Sequence, residues 1–121
     1  MMDVTKWVTP TSWRKAWTLH RAVSGVDNYG DPIRTWNMDT PDYTGEDGQA
    51  NGVCWQIMSR EAAVAEFGEN VTGAAQFNIF DAAVEISEFD RCVFDGRTWE
   101  VRGIADRSWF RHITLTEVVF Q

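Results

Sequence analysis

Cysteine is scarce in this chain. Its 121 residues hold two, Cys54 and Cys92, far apart and in no C-x-x-C pair. That usage argues against a zinc site or a redox pair, and both thiols are expected to be small buried hydrophobes. It also fits folding in a reducing compartment. No apolar run approaches the roughly 18 residues that suggest a membrane span. The start, MMDVTKWVTP, lacks the apolar core and small-residue cleavage site of a secretory signal. There is no P-loop and no G-x-G-x-x-G. Ser59 stands in M-S-R rather than G-x-S-x-G. The two histidines, His20 and His112, fall in expected strands with no nucleophile or carboxylate motif beside them, so both read as ordinary strand histidines. Acid pairs such as Glu85/Glu88 arise readily in so acidic a chain and read as solvated surface. No catalytic residue, metal ligand or cofactor is therefore expected, and the residues alone point to a binding or structural module.

Positive charge is also in short supply. Eleven Lys and Arg face eighteen Asp and Glu, for a net charge of −7 and a pI near 4.7. The basic residues are scattered among the acids rather than clustered. Grip on nucleic acid comes largely from neutralising phosphates, so a DNA-reading face is unsupported. An OB-like nucleic-acid module would need aromatics in a basic groove; here the aromatics are present and the charge is wrong. The composition suits a surface that DNA slides past, or a protein partner.

What the chain has in excess is tryptophan, seven in 121 residues. Not all seven indoles fit in one modest core. Trp is enriched in protein interfaces, and Trp7, Trp13 and Trp109 are the expected interface residues.

The strongest local signal is Asp95-Gly96, a type I′ hairpin turn in which both central residues take positive φ. A two-residue loop sets Phe94 opposite Arg97, Cys92 opposite Trp99 and Arg91 opposite Glu100. Cys92, Phe94, Trp99 and Val101 then share one face, and Arg91–Glu100 is a candidate cross-strand ion pair. After a turn at 105–110, residues 112–120 alternate again, with Ile113 and Leu115 inward. Upstream, residues 16–23 alternate as a strand with Trp17, Leu19 and Val23 on one side, and Arg21 breaks that apolar face near a strand end. Residues 24–32, SGVDNYGDP, read as a turn, and residues 33–38 as the strand that closes a hairpin on the first. Residues 53–58 form a further strand with Val53, Trp55 and Ile57 on one face, and residues 69–81 contain another, where Ala75, Phe77 and Ile79 alternate with Gln76 and Asn78. Residues 84–90 are strand or extended loop. Between the strands, Ser59 as N-cap and Gly68 as stop bound a short helix over 60–67, packed on the sheet by Ala63, Val64 and Phe67.

Residues 37–52, NMDTPDYTGEDGQANG, are polar, acidic and long for a loop without structure, which usually marks function. Their acids lack the D-x-[DN]-x-[DN]-G frame of a calcium loop. The expected architecture is all-β: a small antiparallel β-barrel or sandwich of about six strands, one short helix and one long loop. Residues 1–15 form an N-terminal arm and 16–121 a single domain.

Three features in order resemble a known family. An early strand ending in Arg21 runs into a D-x-Y-G turn, Asp27-Asn28-Tyr29-Gly30. A central strand, a Ser-capped helix and a glycine follow, Val53–Gly68. The chain ends in D-R-x-x-x-x-G-x-x-[YW]-x-V-x-G-I-x-D, carried by Asp90-Arg91, Gly96, Trp99, Val101, Gly103-Ile104 and Asp106. The pattern, over 19–120, resembles the head–tail connector stopper, or head-closure, proteins of long-tailed bacteriophages. The resemblance implies a small β-barrel that assembles as a homo-oligomeric ring in the virion neck, put together in the host cytoplasm. Portal and adaptor would lie on the head side and a tail terminator or tail tube protein on the other. Double-stranded DNA would pass through the channel without sequence-specific binding. The resemblance makes the 37–52 segment the channel-loop candidate, with Asp39, Asp42, Tyr43, Glu46 and Asp47 its candidate residues; the four acids would line or plug the lumen, the alternative being a loop on the ring's exterior. Gly45, Gly48 and Gly52 are its candidate hinges. A tail terminator or tail-completion ring protein is the nearest alternative.

Overall fold

The computed structural model describes residues 13–119 except residue 82, so the expected interface residue Trp7 and most of the expected arm lie outside the described residues. The fold is mostly β, as expected. Its elements are β1 (Trp17–His20), β2 (Val23–Val26), β3 (Pro32–Thr35), β4 (Tyr43–Gly45), β5 (Gln56–Ile57), α1 (Arg60–Phe67), β6 (Ala74–Ile79), β7 (Arg91–Phe94), β8 (Arg97–Asp106) and β9 (Arg111–Glu117). Seven strands make one antiparallel sheet in the order β4-β1-β7-β8-β9-β6-β5, while β2 and β3 pair only with each other. The large sheet curls into a half-barrel rather than closing, so β4 and β5 remain as short edges.

The β7–β8 hairpin has the predicted register, with Arg91 opposite Glu100, Cys92 opposite Trp99 and Phe94 opposite Arg97. Asp95 (φ 55°) and Gly96 (φ 66°) both take the left-handed conformation that the tight turn requires. Cys92, Phe94, Trp99 and Val101 are buried on one face. β9 adds Ile113 and Leu115 to that face, and β6 adds Ala75, Phe77 and Ile79. The curl lets the sheet cover itself. Trp17 and Leu19 arrive from β1, and the non-strand residues Val53, Val84 and Ile86 fill the open side. A chain of rings runs through this interior: Tyr43 on Trp17, Trp17 on Phe77, Phe77 edge-on to Phe94, and Phe94 stacked on Trp99 with centroids 5.0 Å apart. Such ring pairs add about 0.5–1.5 kcal/mol each beyond their burial.

Several expectations change. The strand expected over 16–23 breaks at Arg21–Ala22, and Val23 is exposed on β2 instead of sharing the core face of Trp17 and Leu19. The break has a cause: the Arg21 and Ala22 N–H groups donate to the Asp42 and Asp90 carboxylates (2.8 and 2.9 Å) instead of to a strand. The hairpin therefore forms between β2 and β3, not between β1 and β3. The strand expected over 53–58 shrinks to two residues, with Val53 bridged to Lys15 and Ile57 exposed. The helix has its predicted ends: Ser59 Oγ accepts from the Ala62 N–H, and the Gly68 N–H closes on the Val64 carbonyl. It buries only Ala63, however, and is held at its margins, by Arg60 to the Val71 carbonyl (3.0 Å) and the Met58 N–H to the Ala74 carbonyl (2.8 Å).

Residues 84–90 form no strand, yet Val84 and Ile86 point inward and Glu85 outward. The expected boundary of the arm also moves. Arg14 is buried and donates to the Ala50 carbonyl (2.6 Å), and Lys15 bridges Val53, so both belong to the body.

Candidate interaction site

The β2–β3 hairpin stands apart from the half-barrel, and all eight of its strand residues are exposed. Register puts Val23, Gly25, Ile33 and Thr35 on one face and Ser24, Val26, Pro32 and Arg34 on the other. Tyr29, in the D-x-Y-G turn, is 91% exposed. The turn itself is well built: Asp27 Oδ1 accepts from the Tyr29 and Asp31 N–H groups (2.8 and 2.9 Å), and Gly30 takes φ 82°. A two-stranded ribbon is marginal in water on its own. This one presents Val23, Val26, Tyr29 and Ile33 to solvent, and the β2 segment Val-Ser-Gly-Val carries none of the charges or prolines that usually guard an edge.

The ribbon is fixed at its base. The Arg34 guanidinium lies over the Phe89 ring (3.7 Å), the Trp36 indole N–H donates to the Phe89 carbonyl (2.8 Å), and Arg91 lies over the Trp36 ring (3.6 Å). Phe89 holds its place in the left-handed region (φ 74°), which is unfavourable for a bulky residue and is retained where surrounding contacts demand it. Its neighbour Asp90 is buried and accepts from the Ala22 and Ser87 N–H groups (2.9 and 2.8 Å). The D-R step of the C-terminal motif thus turns the chain that carries the hairpin. Arg91 sits opposite Glu100 as predicted, and Glu100 pairs with Arg102 (3.3 Å).

The acidic 37–52 segment is not one free loop. It contains β4, which extends the large sheet by pairing with β1. Of the channel-loop candidates, Asp42 caps the Arg21 N–H and Asp47 the Ala16 N–H (2.8 and 2.6 Å). Tyr43 packs on Trp17 and donates to Asp81 (3.3 Å); burial first, and then the Asp81 charge, raise its pKa. Asp39 and Glu46 are exposed. Two of the expected hinges are spacers instead. Gly45 lets Trp17 and the Asn51 carbonyl close on the backbone, and a Cβ on Gly52 would stand 2.6 Å from the Glu46 carbonyl oxygen. Gly48 alone of the three has open space around it, at φ 70°.

A second surface lies at the β8–β9 turn. Trp109, half-exposed, stacks on Phe80 (5.7 Å) and meets Phe110 edge-on (4.9 Å), while Arg14 covers Phe80 (5.2 Å). Trp13, at 65%, is the more exposed of the two described interface candidates.

His20 and His112 are ordinary structural residues: His20 is buried between Thr18 and the Asn37 carbonyl, and His112 bonds Asn78 (2.7 Å). Among the described residues no group of His, Cys, Asp and Glu has the arrangement of a metal site. Cys92 is buried as expected, but Cys54 is exposed; it follows the isolated Val53 bridge, where no ladder turns its side chain inward. Burial, and then the Asp90 carboxylate, push the Cys92 thiol well above its ordinary pKa. Maleimide is therefore expected to label the native protein once per chain, at Cys54, and twice after denaturation. Two labels on the folded protein in an intact-mass spectrum would contradict this packing.

A bidentate ion pair joins the start of β8 to the end of β9. Arg97 donates to both Glu117 oxygens (2.6 and 2.9 Å). That hydrogen bonding holds Glu117 below the usual carboxylate range, against a smaller opposing effect of burial. A carboxylate depressed in the folded state contributes stability that is complete above its unfolded pKa of about 4.3 and is lost as pH falls through the folded value. Glu117→Gln is expected to flatten the fall in Tm between about pH 5 and 3. The change should be about 0.5 kcal/mol, because Arg97 is partly solvated. An unchanged pH profile would remove the pair from the account of acid stability.

No protein-family model and no curated protein sequence matches the chain. Among solved structures it is similar to protein SF1141 from Shigella flexneri 2a, with a TM-score of 0.56 and 16% identity over 88% of this chain and 94% of that one. It is also similar to the phage-like element PBSX protein xkdH from Bacillus subtilis (TM-score 0.49, 10% identity, 85% and 92% covered). A chain in the virion of a native gene transfer agent particle has a TM-score of 0.48 and 20% identity, with 88% and 96% covered. The first likeness shows a shared fold; the other two scores are too low to carry an argument.

Proposed function

We propose that this chain is a non-enzymatic structural protein of a phage virion. In this reading it is one subunit of a neck ring between the portal and adaptor on the head side and the tail on the other. The ring closes the DNA channel after packaging and offers the tail its attachment surface. The observation that carries the reading is the β2–β3 hairpin. It bears the D-x-Y-G turn of the stopper-like pattern at its tip, is anchored by the D-R step of the same pattern, and exposes every strand residue. A rigid body with an incomplete ribbon suits a protomer that is finished only by neighbours. Heterologous contacts close into a ring where the rotation between neighbours closes.

In the ring, Asp39, Asp42, Glu46 and Asp47 face the lumen, where negative charge keeps DNA from adhering. Opening and closing require two states separated by a few kcal/mol. With Gly45 and Gly52 packed against the body, the hairpin rather than the acidic segment is the part free to move.

The test is a phage carrying this gene, with the gene deleted. Empty or leaking heads beside complete free tails are expected. Full, stable heads beside tails of abnormal length would move the protein to the tail terminus, and normal virions would end the neck reading. Val26→Asp and Ile33→Asp should reproduce the leaking heads while shifting stability by no more than about 0.5 kcal/mol, as exposed substitutions do.

A further inference from the structure

Of the five asparagines in the chain, Asn51 alone is followed by glycine. That step favours loss of the side-chain amide, because glycine has no side chain to keep its backbone nitrogen from the Asn51 Cγ. The structure holds both reacting groups. The Gly52 N–H donates to the Gln49 carbonyl (3.1 Å). The Asn51 side chain is tied to residues 44 and 46: Oδ1 accepts from the Glu46 N–H (3.0 Å) and Nδ2 donates to the Thr44 carbonyl (3.5 Å). The carbonyl of the peptide that joins Asn51 to Gly52 accepts from the Trp17 indole (2.8 Å). Gly52 is buried, and a Cβ there would stand 2.6 Å from the Glu46 carbonyl oxygen and 2.9 Å from that of Lys15. Attack within the folded turn therefore sacrifices several hydrogen bonds at once, each made by groups with no room to shift.

We propose that Asn51–Gly52 is the chain's site of spontaneous, one-way covalent modification, shut in the folded protein and reached by local opening of the turn over 46–52. Nothing in this depends on the neck reading. In the open turn the Gly52 nitrogen gives its proton to solvent base and attacks the Asn51 Cγ. The Cγ–Nδ2 bond breaks, ammonia leaves, and a five-membered imide forms. Water then adds to one or other imide carbonyl, leaving an aspartyl or an isoaspartyl residue at position 51. Nothing is oxidised or reduced. The aspartyl form lacks the donor to the Thr44 carbonyl. The isoaspartyl form also lengthens the backbone by one carbon beside Gly52, where the packing leaves no space. A modified chain therefore does not close again.

Peptide mapping of the full chain, aged at mildly alkaline pH either folded or in urea, tests this. In urea, Asn51 is expected to convert before the other four asparagines. In the folded protein it should convert about a hundredfold more slowly, since the rate follows the population of the open turn. Gly48→Ala strains the turn and should raise the folded-state rate about fivefold while leaving the rate in urea unchanged. Maleimide capture of the buried Cys92 reads global opening in the same samples. Trp99→Phe, in the core, should speed Cys92 capture about tenfold and leave Asn51 conversion unchanged. After urea is removed, chains modified at position 51 should keep Cys92 reactive, whereas unmodified chains bury it again. Equal Asn51 rates in the folded and unfolded protein would overturn the proposal, as would another asparagine converting first in urea. Equal acceleration of Asn51 and Cys92 by Trp99→Phe would overturn the local opening. Modified chains that bury Cys92 again would overturn the one-way step.

Discussion

Trp99→Ala is expected to destabilise the protein by about 4 kcal/mol, lowering Tm by about 15 °C for a domain of this size. Trp99 is fully buried on β8. It stacks on Phe94 with ring planes 5° apart, and its indole N–H donates to the Phe94 carbonyl (3.3 Å). Arg97 lies over its ring (4.8 Å). Truncation therefore removes a ring stack and a buried hydrogen bond and leaves a large void. The void cannot collapse, because β8 is hydrogen-bonded to β7 on one side and β9 on the other, both in register through Trp99. Trp99→Phe keeps most of the volume and is expected to cost about 1.5 kcal/mol. Urea unfolding of the two variants checks this, and a Trp99→Ala midpoint close to wild type would place the centre of the core elsewhere.

Gly45→Ala should cost about 3 kcal/mol, or roughly 10 °C in Tm, although it adds a single methyl group. A Cβ on Gly45 overlaps the Asn51 carbonyl oxygen and the Trp17 indole nitrogen. Those two groups are bonded to each other at 2.8 Å, so relieving the overlap breaks a part-buried hydrogen bond. It also parts β4 from β1, where Gly45 pairs with Trp17. Gly48→Ala is the control. Gly48 has open space and positive φ, so the cost there is confined to the backbone, about 1 kcal/mol. Equal and small effects at both positions would restore the reading of Gly45 as a pivot.

Local signals decided much of the fold. Asp95-Gly96 fixed a register, and that register carried Cys92, Phe94, Trp99 and Val101 to one face without further information. Two-residue periodicity placed Ile113, Leu115, Phe77 and Ile79 inward, and capping residues bounded the helix at both ends. Each of these is a property of a short window, where turn chemistry and alternation suffice. The same order of motifs suggested a family, and the excess of tryptophan pointed to exposed rings, two of which, Trp13 and Trp109, are exposed in the structure.

The rest was decided by partners distant in sequence. Asp42 and Asp90 draw away the N–H groups of Arg21 and Ala22, ending β1 early and sending Val23 into solvent. Nothing in the alternation of residues 16–23 announces those carboxylates. Tyr43–Gly45 became a strand because β1 offered a free edge and Trp17 needed a neighbour without a side chain. In the sequence, Gly45 reads as a breaker. Cys54 turned outward where one isolated bridge replaced a ladder. The sequence by itself determined the β7–β8 hairpin, which helix is capped and which face of the C-terminal meander is dry, because those depend on neighbours within a few residues. Tertiary structure alone decided which edges pair, which glycines are spacers and which ribbon is left exposed, because those depend on groups brought together only when the sheet curls.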